Sequence, residues 1–308
     1  MNNTLLSVTQ YGIRMHDVAR DAISWQSGDN PHGPVLVTAF RGWNDAGDAA
    51  TAALNFIAAS SERRLIAEID PEEFFDFGDA RPSITLRESR TRKLEWPRNA
   101  FYAVDVDGID AGLLLLDGTE PSLRWRTFCQ SVLLVAAKCK VKQVVTLGAL
   151  LADVPHTRPT TVAGIASDPH LVDQLGLRRS NYEGPTGIVG VLQSAAADAG
   201  LDSCSLWAAV PHYVAATPNP MAAHALVCAF EAATGAIIDS TEMEEASDRY
   251  QDQISTAVAA DEEISGYVRT LEEAADDDPN FGGSIPSGEV IAQEIQRFLR
   301  HQEDSADQ

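Results

Sequence analysis

Four carboxylates fall in segments that read as loops: Asp45, Glu120, Asp153 and Glu183. Two carboxyl groups brought close together can divide general acid and general base work between them, but only their spacing in the fold decides whether they do. Two histidines follow proline in a repeated triplet, Val154-Pro155-His156 and Val210-Pro211-His212. Each is a candidate base, and each has a plainer alternative as a structural hydrogen-bonding group. Arg41, Trp43 and Asn44 precede Asp45, while Asn181 and Tyr182 precede Glu183, so polar and aromatic groups accompany the carboxylates. Gly184, Thr186 and Gly187 open the run Gly184-Pro-Thr-Gly187-Ile-Val-Gly190 ahead of an apolar helix, whose first amides could cradle a phosphate or carboxylate. That spacing is GxxGxxG rather than GxGxxG, and no Walker lysine follows, so the anion signal is weak and a tight turn into a closely packed helix is the favoured reading.

Every one of these residues also has a structural reading. Asp45 and Asp48 precede a helix whose free amides favour carboxylates. Trp43 could plug its loop against the core, and Glu120 stands one turn before Arg124. Other chemistries fail earlier. The chain has no GxSxG elbow, no HExxH, and no closely spaced His, Cys and Asp set of metal-ligand type, so no metal or cofactor is implied.

Positioning these loops requires a sheet. Val35–Phe40 reads as a strand followed by a loop and a helix, and the grammar repeats: Leu113–Leu116 before a helix to about Lys140, Val144–Leu147 before a loop starting at Gly148, and Ser205–Val210 before a helix from about Pro220 to Thr234. Alternating strands and helices predict βαβ units, a mainly parallel sheet, and loops converging beyond the carboxyl ends of the strands. Between residues 81 and 106, Ser83–Leu86 and Ala100–Val104 flank the polar stretch RESRTRKLEWPRN and predict an antiparallel excursion or hairpin on the sheet edge. Its six cations, Arg81, Arg87, Arg90, Arg92, Lys93 and Arg98, are either a partner-facing patch or a solvated arm.

Charge divides the chain of 308 residues. Lys and Arg number 23 against 45 Asp and Glu, and residues 239–308 hold 19 acidic and 4 basic side chains, −15 of the total −22. We therefore divide it into an α/β domain, 1–238, and an acidic helical extension, 239–308. In the extension Tyr250, Ile254 and Val258 recur at four-residue steps, as do Ile264 and Val268 before Leu271, and a last helix is expected after Pro286. Such negative charge disfavours nucleic acid and anionic membrane. The N-terminal stretch lacks a secretory pattern, and no window nears ~18 apolar residues, so no membrane span is expected. Cys129, Cys139, Cys204 and Cys228 lie far apart without a CxxC pair, which fits a reducing cytoplasm.

Five stretches taken in order resemble the proteasome assembly chaperone two family, in particular its longer actinobacterial branch with an acidic helical extension. They are FRGWNDAGDAA (40–50), LDGTEPSLRWRTF (116–128), VVTLGALLADVPHTRP (144–159), SNYEGPTGIVGVL (180–192) and LWAAVPHYVAATPNP (206–220). Only 4 of the 23 basic residues are lysine, in keeping with a high-GC genome. The resemblance implies a three-layer α/β/α fold similar to purine nucleoside phosphorylases, and self-association or pairing with a homologous subunit. It also brings a proteasome-like complex into view as partner, and it transfers no catalytic residue. Some relatives end in a hydrophobic-tyrosine-any tripeptide that docks into the proteasome ring; this sequence ends Ala306-Asp307-Gln308. The favoured expectation is an oligomeric, non-enzymatic binding or assembly protein. The alternative is an enzyme or small-molecule binder using the strand-end cleft on a nucleoside-like or anionic ligand.

Overall fold

A computed structural model describes residues 17–26, 33–59, 61–87, 91–110, 112–174, 177–179, 183–214 and 217–277. In chain order the elements are α1 (Asp17–Asp21), β1 (Ile23–Trp25), β2 (Val35–Arg41), α2 (Ala49–Ile57), β3 (Arg64–Ile69), β4 (Ser83–Arg87), β5 (Thr91–Glu95), β6 (Asn99–Val104) and β7 (Leu113–Thr119). There follow α3 (Trp125–Lys138), β8 (Gln143–Ala152), β9 (Val162–Ala166), α4 (Pro169–Gln174), β10 (Arg178–Arg179), α5 (Ile188–Asp198), β11 (Asp202–Pro211), α6 (Pro220–Thr234), α7 (Thr241–Ala259) and α8 (Glu262–Asp277).

Nine strands form one mixed sheet in the order β1-β3-β6-β7-β2-β8-β11-β9-β10. Its centre is the parallel sheet expected from the sequence: β7, β2, β8 and β11 run side by side, with Val35 opposite Leu113 and Asp202 opposite Gln143. These strands are almost continuously apolar because helices cover both faces. Alternate residues serve opposite layers: Val35, Val37, Leu113 and Leu115 pack toward α2 and α6, while Leu36, Phe40, Leu114 and Leu116 pack toward α3 and α5. Edge-to-face contacts of Phe128 with Phe40 (6.0 Å) and Phe74 (5.5 Å) anchor the second layer. The result is a three-layer α/β/α fold.

Helix α6 matches its expected span because both ends carry local signals. Asn219 Oδ1 accepts the Ala222 amide at 3.0 Å, Pro220 occupies the first turn, and Gly235 closes the helix at φ 78°. Strand β8 departs from expectation. It continues to Ala152 rather than breaking at Gly148, because that glycine lies under the Trp207 ring, where a β-carbon would come within 2.7 Å.

The excursion at 81–106 also needs correction. β4 pairs with β5, which lies inside the polar stretch, in a separate two-stranded sheet, and β6 enters the main sheet between β3 and β7. Side chains of Asn99–Val104 are largely buried and belong between covered faces, whereas those of β5 tolerate water. The extension supplies two helices among the described residues. α7 packs against α6 and α8 against α7, with Met243, Val268 and Leu271 buried. The helix expected after Pro286 lies outside the described residues.

Candidate functional site

The strand ends place the chemistry-bearing residues in two separate groups. The first gathers where β2 and β7 finish in register, Arg41 opposite Thr119. Asn44 is fully buried and donates from Nδ2 to Glu120 Oε1 at 2.8 Å. The same oxygen accepts the Ile188 amide at 2.8 Å, at the first residue of α5, while the Asn44 carbonyl accepts the Ala149 amide of β8 at 2.8 Å. One carboxylate thereby ties the β2 loop to the positive end of α5.

That helix end is the one the glycine-rich run marked as a candidate anion site, and Glu120 already occupies its first amide. The glycines themselves are explained by close approach. A β-carbon on Gly187 would lie 2.3 Å from Asn44 Oδ1, and one on Gly190 would lie 2.3 Å from Thr186 Oγ1. Glu183, Gly184 and Thr186 are exposed, and Asn181 and Tyr182 lie outside the described residues.

Asp45 takes the structural role. Its Oδ1 accepts the amides of Ala50 (2.7 Å) and Thr51 (3.1 Å), and Oδ2 accepts the Thr51 hydroxyl, which pins the start of α2. Burial raises its pKa, and these hydrogen bonds oppose that rise. Asp48, expected to share the task, makes no side-chain cap and instead adopts a left-handed backbone at φ 50°. Arg41 pairs with Asp117 at 2.7 Å. Glu120 does not pair with Arg124, which reaches Glu73, and Trp43 is 45% exposed rather than plugged into the core.

The second group lies beyond the ends of β8 and β11, where Ala152 stands opposite Pro211. His212 Nδ1 sits 3.0 Å from Asp153 Oδ1, which also accepts the Tyr267 hydroxyl at 3.2 Å. His156 is 2% exposed. Its backbone amide donates to the Tyr213 hydroxyl at 2.7 Å, and that hydroxyl lies 2.8 Å from its Nδ1. With the Tyr213 proton directed at Nδ1, the proton of the neutral ring sits on Nε2 and points to Ser255 Oγ at 3.2 Å. Burial lowers the His156 pKa, against a raising influence from Glu272, and pushes Tyr213 up to about 12. Both groups are therefore neutral hydrogen-bonding partners.

Helix α8 closes over this group. Thr157 donates to Glu272, and Arg158 holds Asp276 through Nε (2.9 Å) and Nη2 (2.7 Å) in a two-pronged pair. Tyr213, Ser255, Tyr267, Glu272 and Asp276 were not among the sequence candidates. Tyr213 follows His212 in one of the strand-end loops, while the other four had only the acidic helical patterning of the extension as a signal, which does not say which surface it meets.

A cleft of about 650 Å³ lies between residues 154–162, α6 and Ala275 of α8, and its walls are largely apolar. Among the described sequence candidates only His156 lines it; Asn44, Asp45 and Glu120 do not. Cys228 reaches it with Sγ 3.5 Å from His224 Nε2, but burial raises that thiol's pKa and keeps it protonated. Among the described residues no three His, Cys, Asp or Glu side chains converge as a metal site, and no helix is long and apolar enough to cross a membrane.

Similarity to known proteins agrees with this architecture. A search of curated proteins finds no match. A PAC2 family protein from Streptomyces avermitilis is 44% identical, with a TM-score of 0.70 over 76% of this chain and 99% of that one. A Mycobacterium tuberculosis proteasome-assembly chaperone homologue is likewise 44% identical, with a TM-score of 0.71 over the same shares. A second M. tuberculosis protein, of unknown function, is 26% identical with a TM-score of 0.76 over 90% of this chain and 92% of its own. With the PAC2 family model matching residues 39–258, from the middle of β2 to the last turn of α7, the chain belongs to the PAC2 family.

Proposed function

We propose that this chain is a binding and assembly protein, not an enzyme, that works as an oligomer in the cytoplasm and has a proteasome-like complex as its partner. The carrying observation is how the strand-end polar groups are used. Glu120 is committed to Asn44 and Ile188, Asp45 to α2, and His156 to Tyr213 and Ser255. A catalytic set needs groups that face a substrate, and these face one another. Similarity to a mycobacterial proteasome-assembly chaperone homologue at 44% identity supports the partner class. Four free cysteines, three of them buried, support a reducing compartment. In this reading residues 1–238 form the body and 239–308 an acidic helical addition to it.

The test mixes the full chain with purified α-type proteasome subunits and follows complexes and assembled particles by native mass spectrometry. A defined complex at micromolar concentration, or faster ring formation, is expected. Absence of both complex formation and any change in assembly would overturn the partner assignment. In that event the cleft of about 650 Å³ beside α6 becomes the place to screen small molecules.

A further inference from the structure

Helix α8 ends beside the cleft of about 650 Å³, with Ala275 in its wall and Asp276 clamped by Arg158 through Nε (2.9 Å) and Nη2 (2.7 Å). Val154, Val162 and Leu177 line the cleft together with Met221, Ala225 and Ala229 of α6, which stand at four-residue steps along that helix. Its polar groups have other work. His156 is held by Tyr213 and Ser255, Arg158 by Asp276, and Asn219 caps α6. A polar small molecule would find few groups here to orient it, so the surface left to cover is apolar.

The chain supplies a segment that matches. Residues 278–308 lie outside the described residues and follow directly on α8. Within them Ile291, Ile295, Phe298 and Leu299 recur at helical spacing beside Val290. An isolated helix shorter than ~12–15 residues is marginal in water, so such a stripe needs a surface to cover it. The clamp at Asp276 delivers it to one. Val290 is 14 positions further on, within reach at roughly 46 Å of extended chain, and a tether of that length gives an effective concentration on the order of millimolar beside the cleft. Charge agrees: residues 286–300 hold two glutamates and two arginines, against 13 carboxylates and two arginines in residues 239–277. The segment can therefore lie beside α7 and α8 without the repulsion a further acidic helix would meet.

We propose that the segment after Pro286 folds back as a helix into this cleft, with Ile291, Ile295 and Leu299 against its apolar walls, so that the chain masks its own groove and any other occupant must displace it. This goes beyond the assembly reading and does not depend on it; the mode is that of an amphipathic helix laid in a hydrophobic groove.

Cys228 reports on the cleft, because it lines it and is the exposed one of the four free cysteines. In the full chain, maleimide alkylation of Cys228, followed by peptide mass spectrometry, should run roughly tenfold faster in Ile295→Asp/Leu299→Asp than in wild type. Buried Cys129, Cys139 and Cys204 should stay unreactive in both, which separates an opened cleft from unfolding. Among the single variants Ile291→Cys, Ile295→Cys and Leu299→Cys, mild oxidation should link at least one to Cys228 within a monomer. Equal alkylation rates, or no link from any of the three positions, would overturn the proposal. A link recovered only in disulfide-joined dimers would overturn the assignment to the chain's own segment.

Discussion

The strand-end network and the β4–β5 hairpin use similar side chains in opposite ways. Asn44 is buried and Glu120 half-buried against it, and that one carboxylate joins a loop, a helix start and, through Asn44, a neighbouring strand. On the hairpin, Ile84, Leu86 and Leu94 face water, and Trp96 at the base meets Phe77. A buried polar group left without a partner costs far more than an exposed one, so the first arrangement resists change. Glu120 and Asn44 thus tie a loop to a helix and a strand, whereas the hairpin leaves its aliphatic side chains in water.

This contrast can be broken or sharpened by substitution. The largest effect is expected from Gly187→Ala, whose new β-carbon falls 2.3 Å from the Asn44 amide. Overpacking against a side chain with no room to move should cost roughly 3 kcal/mol, read by chemical denaturation. Glu120→Ala leaves the Asn44 Nδ2 and the Ile188 amide without their acceptor and should cost about 2 kcal/mol. Asn44→Ala combined with it should cost less than the sum of the two, because they share one network. If both variants kept wild-type stability, the network would be free to serve chemistry and the contrast would fail.

A smaller, pH-dependent effect belongs to His156. Burial holds its folded pKa below the ordinary 6.5, so the ring is neutral in both states at higher pH and takes up a proton more readily when unfolded. Stability should fall as pH drops through 6.5 toward the lowered folded value, and His156→Gln should flatten that slope. Asp45 acts in the opposite sense further down, since its raised carboxyl pKa relieves a burial cost once it protonates. The smallest effect on stability is expected from Leu86→Glu, within about 0.5 kcal/mol of wild type, because the side chain is 68% exposed.

The sequence carried the layers and most element spans, because periodic burial and local caps are properties of neighbouring residues. Asn219, Pro220 and Gly235 fix α6 at both ends without help from elsewhere. Gly148 misled for the opposite reason. Its role is set by the Trp207 ring on the next strand, 59 positions later, so a packing glycine read as a loop. The candidate sites show the same division. That Asp45 caps α2 was legible within six residues, whereas the commitment of Glu120 to Asn44 and Ile188 spans 76 and 68 positions. The grip of α8 on residues 153–158 depends on pairs such as Arg158 with Asp276, 118 positions apart, which no local pattern announces.

The most direct test is a side-by-side thermal unfolding measurement on wild type, Glu120→Ala and Leu86→Glu. The account predicts that Glu120→Ala melts earlier, because two donors lose their acceptor, while Leu86→Glu keeps its midpoint, because the side chain already faces water. The reverse pattern, a midpoint kept on replacing Glu120 and lowered on replacing Leu86, would contradict it.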